Sequence, residues 1–156
     1  MENLIDNEVK NLNIISRVYD ILGDDGKFIR KKVFCEEQGF VNEFDEIDKT
    51  AKAAWHLVLY DNTRPAATAR LICKNYKERR YIIGRVAVLM EYRKLHLGSR
   101  LVEELEEVAK ANGATILEVS AQCRAKEFYE KCGFVAQGST YEDEGCPHIM
   151  MVKKLV

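Results

Sequence analysis

Apolar residues recur along this chain with two spacings, and each change of spacing marks an expected change of structure. Residues 11–19, rich in β-branched side chains, read as a first strand. Gly23-Asp24-Asp25-Gly26 turns the chain, and beyond it Ile29, Val33 and Phe34 fall on the inner side of a helix that Gly39 stops. Two apolar runs, 55–60 and 66–73, flank the turn-rich stretch Asp61-Asn62-Thr63-Arg64-Pro65 and predict an antiparallel hairpin. Residues 81–89 form a further strand.

From Leu97 the period lengthens to that of a helix. Leu97, Leu101, Leu105 and Val108 make an inner stripe, Arg100, Glu103, Glu104, Glu107 and Lys110 are expected to face water, and Asn112-Gly113 closes the helix. Residues 115–121 read as a buried strand and 125–132 as a short helix ended by Gly133. Two last strands, 134–141 and 148–155, surround a loop at 142–147. This order predicts an α/β (α+β) chain, with a mixed, mostly antiparallel central sheet of six to seven strands and helices on both faces. The stretch from Tyr81 to Ala121 is expected to be a right-handed crossover between parallel strands. No repeat or linker interrupts it, so residues 1–156 are expected to form one domain.

Composition narrows the function classes. The 47% hydrophobic and 31% charged residues are ordinary for a soluble globular chain. Twenty-four Lys and Arg against 25 Asp and Glu leave a net charge of −1, without the bulk pull toward phosphate polymers that a nucleic-acid partner needs. Lys74, Lys77, Arg79 and Arg80 cluster where a hairpin tip falls and read as a solvated loop. Cys35, Cys73, Cys123, Cys132 and Cys146 are odd in number and hold no Cys-x-x-Cys pair, so neither a disulfide framework nor a metal site is expected. The N-terminus has no basic start or apolar run, and no segment approaches the ~20 apolar residues that span a bilayer. A cytoplasmic protein with no membrane partner is the expectation.

The segment from Arg85 to Val102 carries the chemistry. A strand enters a short loop, and the loop opens the long helix, whose first amides have no acceptor inside it. Those amides and the helix dipole make an anion site that Gly98 lets a diphosphate approach. Here the sequence resembles the GNAT N-acetyltransferase superfamily, whose cofactor loop reads Arg or Gln, two residues, Gly, one residue, then Gly or Ala. Arg93-Lys94-Leu95-His96-Leu97-Gly98 matches at Arg93 and Gly98, with His96 where the family usually has its first glycine. A left-handed φ at His96 would carry a cost that glycine avoids. A second match is Ala125-Lys-Glu-Phe128-Tyr129-Glu-Lys-Cys-Gly133-Phe134, with Gln122 replacing a frequent asparagine ahead of it. Val33-Phe-Cys-Glu-Glu37-Gln38 and Glu142-Asp-Glu-Gly-Cys-Pro147-His148 resemble the ElaA-like branch, so the likeness runs from Arg30 to Leu155.

The resemblance implies acetyl-CoA as cofactor. It implies contacts from Val86, Ala87, Val88, Arg93, Lys94, Leu95, His96, Leu97, Gly98, Ser99, Gln122, Phe128 and Tyr129, with a backbone amide near Val88 polarising the thioester carbonyl. Tyr129 becomes the candidate acid for the leaving thiolate, with Phe128 filling the core beside it. An amine attacks only when neutral and is mostly protonated at pH 7, so the reaction also needs a base. Glu37 is the first candidate and His148 the second, against the plainer readings of a solvated carboxylate and a strand histidine. His56 reads as a half-buried strand residue. Arg85 reads as a ligand for a substrate carboxylate or as a buried partner of Glu118. The expected acceptor is a primary amine of a small molecule or peptide, attacking directly in a ternary complex; the oligomeric state is open, with a homodimer through the strand-rich C-terminus as one option. One rival, a cysteine hydrolase built on Cys123 or Cys35, lacks a local nucleophile signature. Another keeps the fold as a non-catalytic acyl-CoA sensor.

Overall fold

The computed structural model describes residues 12–156. Strands and helices follow in the order β1 Ile14–Tyr19, α1 Asp24–Arg30, α2 Glu46–Lys49, β2 Trp55–Asp61, β3 Arg64–Asn75, β4 Arg80–Val88, α3 Leu97–Ala111, β5 Ile116–Gln122, α4 Lys126–Lys131, β6 Val135–Asp143 and β7 Cys146–Lys154. The strands form a seven-stranded sheet in the order β1-β2-β3-β4-β5-β7-β6. β4 and β5 are parallel, whereas β1 and β2, β5 and β7, and β6 and β7 are antiparallel. The mixed sheet agrees with the sequence reading. The first strand begins at Ile14, and Asn11 lies outside the described residues.

Two turns are tighter than expected. The β2–β3 connection contracts to Asn62-Thr63, with Asn62 left-handed at φ +55°, and Asp61, Arg64 and Pro65 become strand. At the other end Glu144 and Gly145 have φ of +50° and +74°, the signs a two-residue type I′ turn requires, so β6 and β7 extend into the predicted 142–147 loop.

The molecule divides into two compact units. One comprises the described residues through Ala69 with Arg85–Leu101, the other Arg70–Gly84 with Val102–Val156.

In the first unit, alternate residues of β2 serve opposite faces. Tyr60 donates to Asp25 of α1 at 2.7 Å, and a Cβ on Gly26 would come within 3.9 Å of Val58, so α1 lies on the face of Val58 and Tyr60. Asp61 accepts from Tyr92 at 2.8 Å on the other face. There Arg100 of α3 reaches the carbonyl of Ile14 at 3.3 Å and the hydroxyl of Ser16, the partner of Leu59, at 3.2 Å. Arg100 therefore bonds to β1, where periodicity alone left it facing water. Leu57, Leu59 and Leu101 are wholly buried, each contributing about 1.5–3 kcal/mol by leaving water.

Past Arg30 the helix widens into a π-helical segment, Lys31–Glu37, that ends before Gly39 at φ +78°. Ile29, Val33 and Phe34 point inward as expected. Arg30, only 1% exposed, donates from Nε to Glu43 at 2.7 Å and from both terminal nitrogens to Asp48 at 2.8 Å. This buried fork ties the loop before α2 to the end of α1. Asp45 and Asp48 cap α2 reciprocally.

In the second unit one sheet face is apolar and helix-covered. Tyr81, Leu117 and Lys153 lie in one row across β4, β5 and β7. Tyr81 donates to the carbonyl of Asn112 at 3.4 Å, and Lys153 meets Glu106 of α3 at 2.6 Å and the carbonyl of Cys132, after α4, at 2.9 Å. Leu117, Val119, Ala121, Ile149 and Met151 fill the core on that side. The alternate residues Glu118, Ser120 and Gln122 of β5 and His148 and Met150 of β7 make a polar opposite face.

Candidate active site

The loop from Arg93 to Ser99, in the first unit, is shaped by two left-handed residues. Lys94 has φ +66° and His96 φ +61°, conformations that cost about 1–2 kcal/mol each for residues with a Cβ. The carbonyl of His96 accepts from Arg100 at 3.2 Å, the first helical bond of α3. The amides of Leu97, Gly98 and Ser99 precede that bond and have no acceptor inside the helix, which is the local chemistry a diphosphate requires. Leu97 is buried and anchors the turn, while Lys94 and His96 are exposed. In β4, Ala87 is buried, and Val86 and Val88 are half-buried.

Arg93 does more than mark the motif. Its Nε donates to the carbonyl of Val88 at 3.1 Å, and one terminal nitrogen donates to both oxygens of Glu37 at 2.9 and 2.7 Å. The pair fastens the end of the π-helical segment to the end of β4. Both carboxylate oxygens of Glu37 are thereby engaged by a cation.

Arg85, within β4, has φ +53°, a left-handed kink of the kind that re-aims side chains. Its guanidinium lies 3.1 Å from the Glu43 carboxylate and 3.7 Å from Asp45, so it joins the Arg30 network. Of the two readings of Arg85, the pairing with Glu118 is corrected. Glu118, 3% exposed, instead binds Lys74 and Arg80, each at 2.7 Å, so two members of the predicted solvated cluster neutralise a buried carboxylate. His56 is likewise more buried than expected, at 2% exposed.

The second unit carries the remaining candidates. Gln122 is the cross-strand partner of His148, and its side-chain oxygen accepts from Arg124 at 2.7 Å. His148 is buried, and its Nδ1 lies 2.7 Å from the carbonyl of Cys146. A carbonyl can only accept, so Nδ1 carries a proton, and in the neutral imidazole Nε2 keeps the lone pair. Tyr141, directly opposite on β6, stacks on the imidazole.

Tyr129 on α4 is 7% exposed and packs edge-on against Phe128 and Phe134 at 4.9 and 5.9 Å between centroids. Phe128 is the half-exposed member of the pair, the reverse of the division read from their order. Burial pushes the Tyr129 phenol well above its usual range and keeps it protonated. Sequence reasoning missed Tyr141 and Ser120. Their only signal was a place in strands flanking His148, and pairing register is not written in periodicity.

A strand hands over to a helix start through two left-handed residues, and the open amides of that start have the chemistry of an anion site. A family model described as an acetyltransferase (GNAT) domain matches residues 30–155, and the chain belongs to that family. It is 32% identical over 130 residues to the uncharacterized N-acetyltransferase YjcF of Bacillus subtilis strain 168, a match covering 83% of this chain and 90% of the relative. Among solved structures it resembles Escherichia coli ElaA, with 25% identity, a TM-score of 0.80 and 91% and 100% of the two chains covered. It also resembles an acyl-CoA N-acyltransferase from Pseudomonas aeruginosa, with 27% identity, a TM-score of 0.76 and coverage of 92% and 99%. The protein is an N-acetyltransferase, and its cofactor is acetyl-CoA.

Proposed function

We propose that the protein acetylates a primary amine of a small molecule or peptide by direct attack with both substrates bound, His148 accepting the amine proton and Tyr129 protonating the departing thiolate. Acetyl-CoA supplies the acetyl group as an activated thioester. In this reading the amides of Leu97, Gly98 and Ser99 hold the diphosphate, with Gln122 holding the pantetheine arm through its side-chain amide. The N–C bond forms as the C–S bond breaks. One proton passes from nitrogen to Nε2 of His148 and another from the Tyr129 phenol to sulfur.

The observation that carries the reading is the bond between Nδ1 of His148 and the Cys146 carbonyl. In the neutral imidazole it leaves Nε2 as a lone-pair acceptor, on a residue that pairs with Gln122 across the β5–β7 ladder. Glu37 is the weaker candidate because Arg93 occupies both its oxygens, and we assign it to holding that arginine.

The test is thiol release from acetyl-CoA across a panel of amino acids, amino sugars, polyamines and peptides. An accepted amine whose turnover falls about a hundredfold in His148→Gln, with acetyl-CoA affinity retained, supports the assignment. Tight acetyl-CoA binding without thiol release on any amine overturns it in favour of a sensor.

A further inference from the structure

The imidazole of His148 is held by two groups, the Cys146 carbonyl and the Tyr141 ring, and a third group on another strand of the same unit holds the tyrosine. The Cys146 carbonyl fixes Nδ1 along β7. From β6, the ring of Tyr141 lies 6.0 Å from the imidazole centroid at 24° between planes. The Tyr141 hydroxyl is in turn hydrogen-bonded to the hydroxyl of Ser120 on β5, on the far side of β7. All three residues belong to the polar face, because Tyr141 pairs with His148 and Ser120 pairs with Met150.

This juxtaposition depends on an irregularity. β6 and β7 pair as Gln137 with Met150, then resume with Tyr141 opposite His148, a shift that leaves two extra residues on β6. Gly138 supplies the left-handed φ of +75° at the bulge. Continued without it, the first register would put Ser139 opposite His148. Because the shift is even, it keeps each side chain on its face and replaces a small residue with a tyrosine.

We propose that Tyr141 is a positioning residue for His148, its ring and the Ser120 tether fixing the plane in which Nδ1 donates to Cys146 and Nε2 remains the acceptor. A planar ring against the imidazole face restricts rotation about the His148 side chain, which a carbonyl bond in the ring plane does not do alone. The hydroxyl bridge restricts the tyrosine in turn. Ordering the acceptor before the amine arrives raises turnover without adding affinity for the cofactor.

This inference rests on His148 as the proton acceptor, so His148→Gln is measured alongside the variants that test Tyr141. Tyr141→Leu is expected to lower kcat about tenfold while the Kd of acetyl-CoA changes less than twofold. Tyr141→Phe keeps the stack and is expected to recover kcat to within about threefold of wild type. The imidazole ¹⁵N spectrum of wild type should show protonated Nδ1 and bare Nε2, and Tyr141→Leu should show mixed tautomers. Ser120→Ala, which removes one hydroxyl, serves if Tyr141→Leu does not fold, and is expected to lose about threefold in kcat with a smaller spectral change of the same kind. Full turnover in His148→Gln sinks the proposed base itself. A slow His148→Gln beside a folded Tyr141→Leu, or a Ser120→Ala, with wild-type kcat and imidazole spectrum sinks the positioning role alone.

Discussion

Arg93 and Glu37 meet through a single guanidinium nitrogen that donates to both carboxylate oxygens, at 2.9 and 2.7 Å, across 56 residues of sequence. Because Nε of the same guanidinium holds the carbonyl of Val88, the pair joins the π-helical segment, the end of β4 and the start of the cofactor loop.

Glu37→Gln is therefore expected to raise the Kd of acetyl-CoA severalfold and to lower kcat by less than that factor. A neutral amide keeps one hydrogen bond but gives up the charge-assisted pair. Calorimetry and steady-state kinetics separate the two effects. A loss of a hundredfold or more in kcat at unchanged affinity would return Glu37 to the role of base.

Tyr129→Phe tests the acid. The phenol is buried and held protonated by that burial, so removing its hydroxyl leaves the edge-on packing with Phe128 and Phe134 in place. Turnover is expected to fall about a hundredfold, the low end of general acid catalysis, while acetyl-CoA binding and the melting temperature hold. Unchanged turnover would take Tyr129 out of the mechanism.

Much of this was legible in the sequence, for definable reasons. The stripe of Leu97, Leu101 and Leu105 follows from helical periodicity, and the apolar runs of β2 and β3 follow from burial of consecutive strand residues on both faces. Partners across the sheet follow no such rule. Arg85 is equally plausible beside Glu43 or Glu118 until the left-handed kink and the loop before α2 are seen, and Arg100 reads as a solvated helix residue until β1 is placed beside it. The order Phe128-Tyr129 likewise says that the two diverge, not which one turns inward.

Arg30 sets the stability of the loop before α2. Arg30→Ala takes the buried cation away from the carboxylates of Glu43 and Asp48, 6% and 4% exposed, and leaves Glu43 to the half-buried Arg85. Breaking a buried pair in this way costs about 3–5 kcal/mol. A fall of that size in urea-unfolding free energy is expected, whereas a change under 1 kcal/mol would mean that the fork contributes little.

Glu118 makes a prediction about acid. Burial, the largest influence, pushes its carboxyl up, but the bonds from Lys74 and Arg80 and their charges together hold it below its ordinary value of 4.5. A carboxyl depressed in the folded state contributes stability that is complete above 4.5 and is lost as pH falls below it. Glu118→Gln should be less stable than wild type at pH 7, and the gap should close as pH falls below 4.5. Urea midpoints measured across that window check it, and a gap that stays constant with pH would show that Glu118 does not titrate this way.

His96 stands where the family's cofactor loop usually has a glycine, and it adopts φ +61°, the left-handed conformation open to glycine without penalty. The cost for a residue with a Cβ is about 1–2 kcal/mol, and the imidazole is exposed, so little packing offsets it. Glycine also has more freedom to lose on folding, by roughly 0.5–1 kcal/mol, which cancels part of the relief. His96→Gly should therefore raise stability by about 0.5–1 kcal/mol, or roughly 1–4 °C in Tm for a chain of this size. If backbone amides alone hold the diphosphate, the Kd of acetyl-CoA should stay within about twofold of wild type. A stable His96→Gly variant that binds acetyl-CoA tenfold more weakly would instead show that the histidine side chain reaches the phosphates, which would explain why this loop keeps a strained residue.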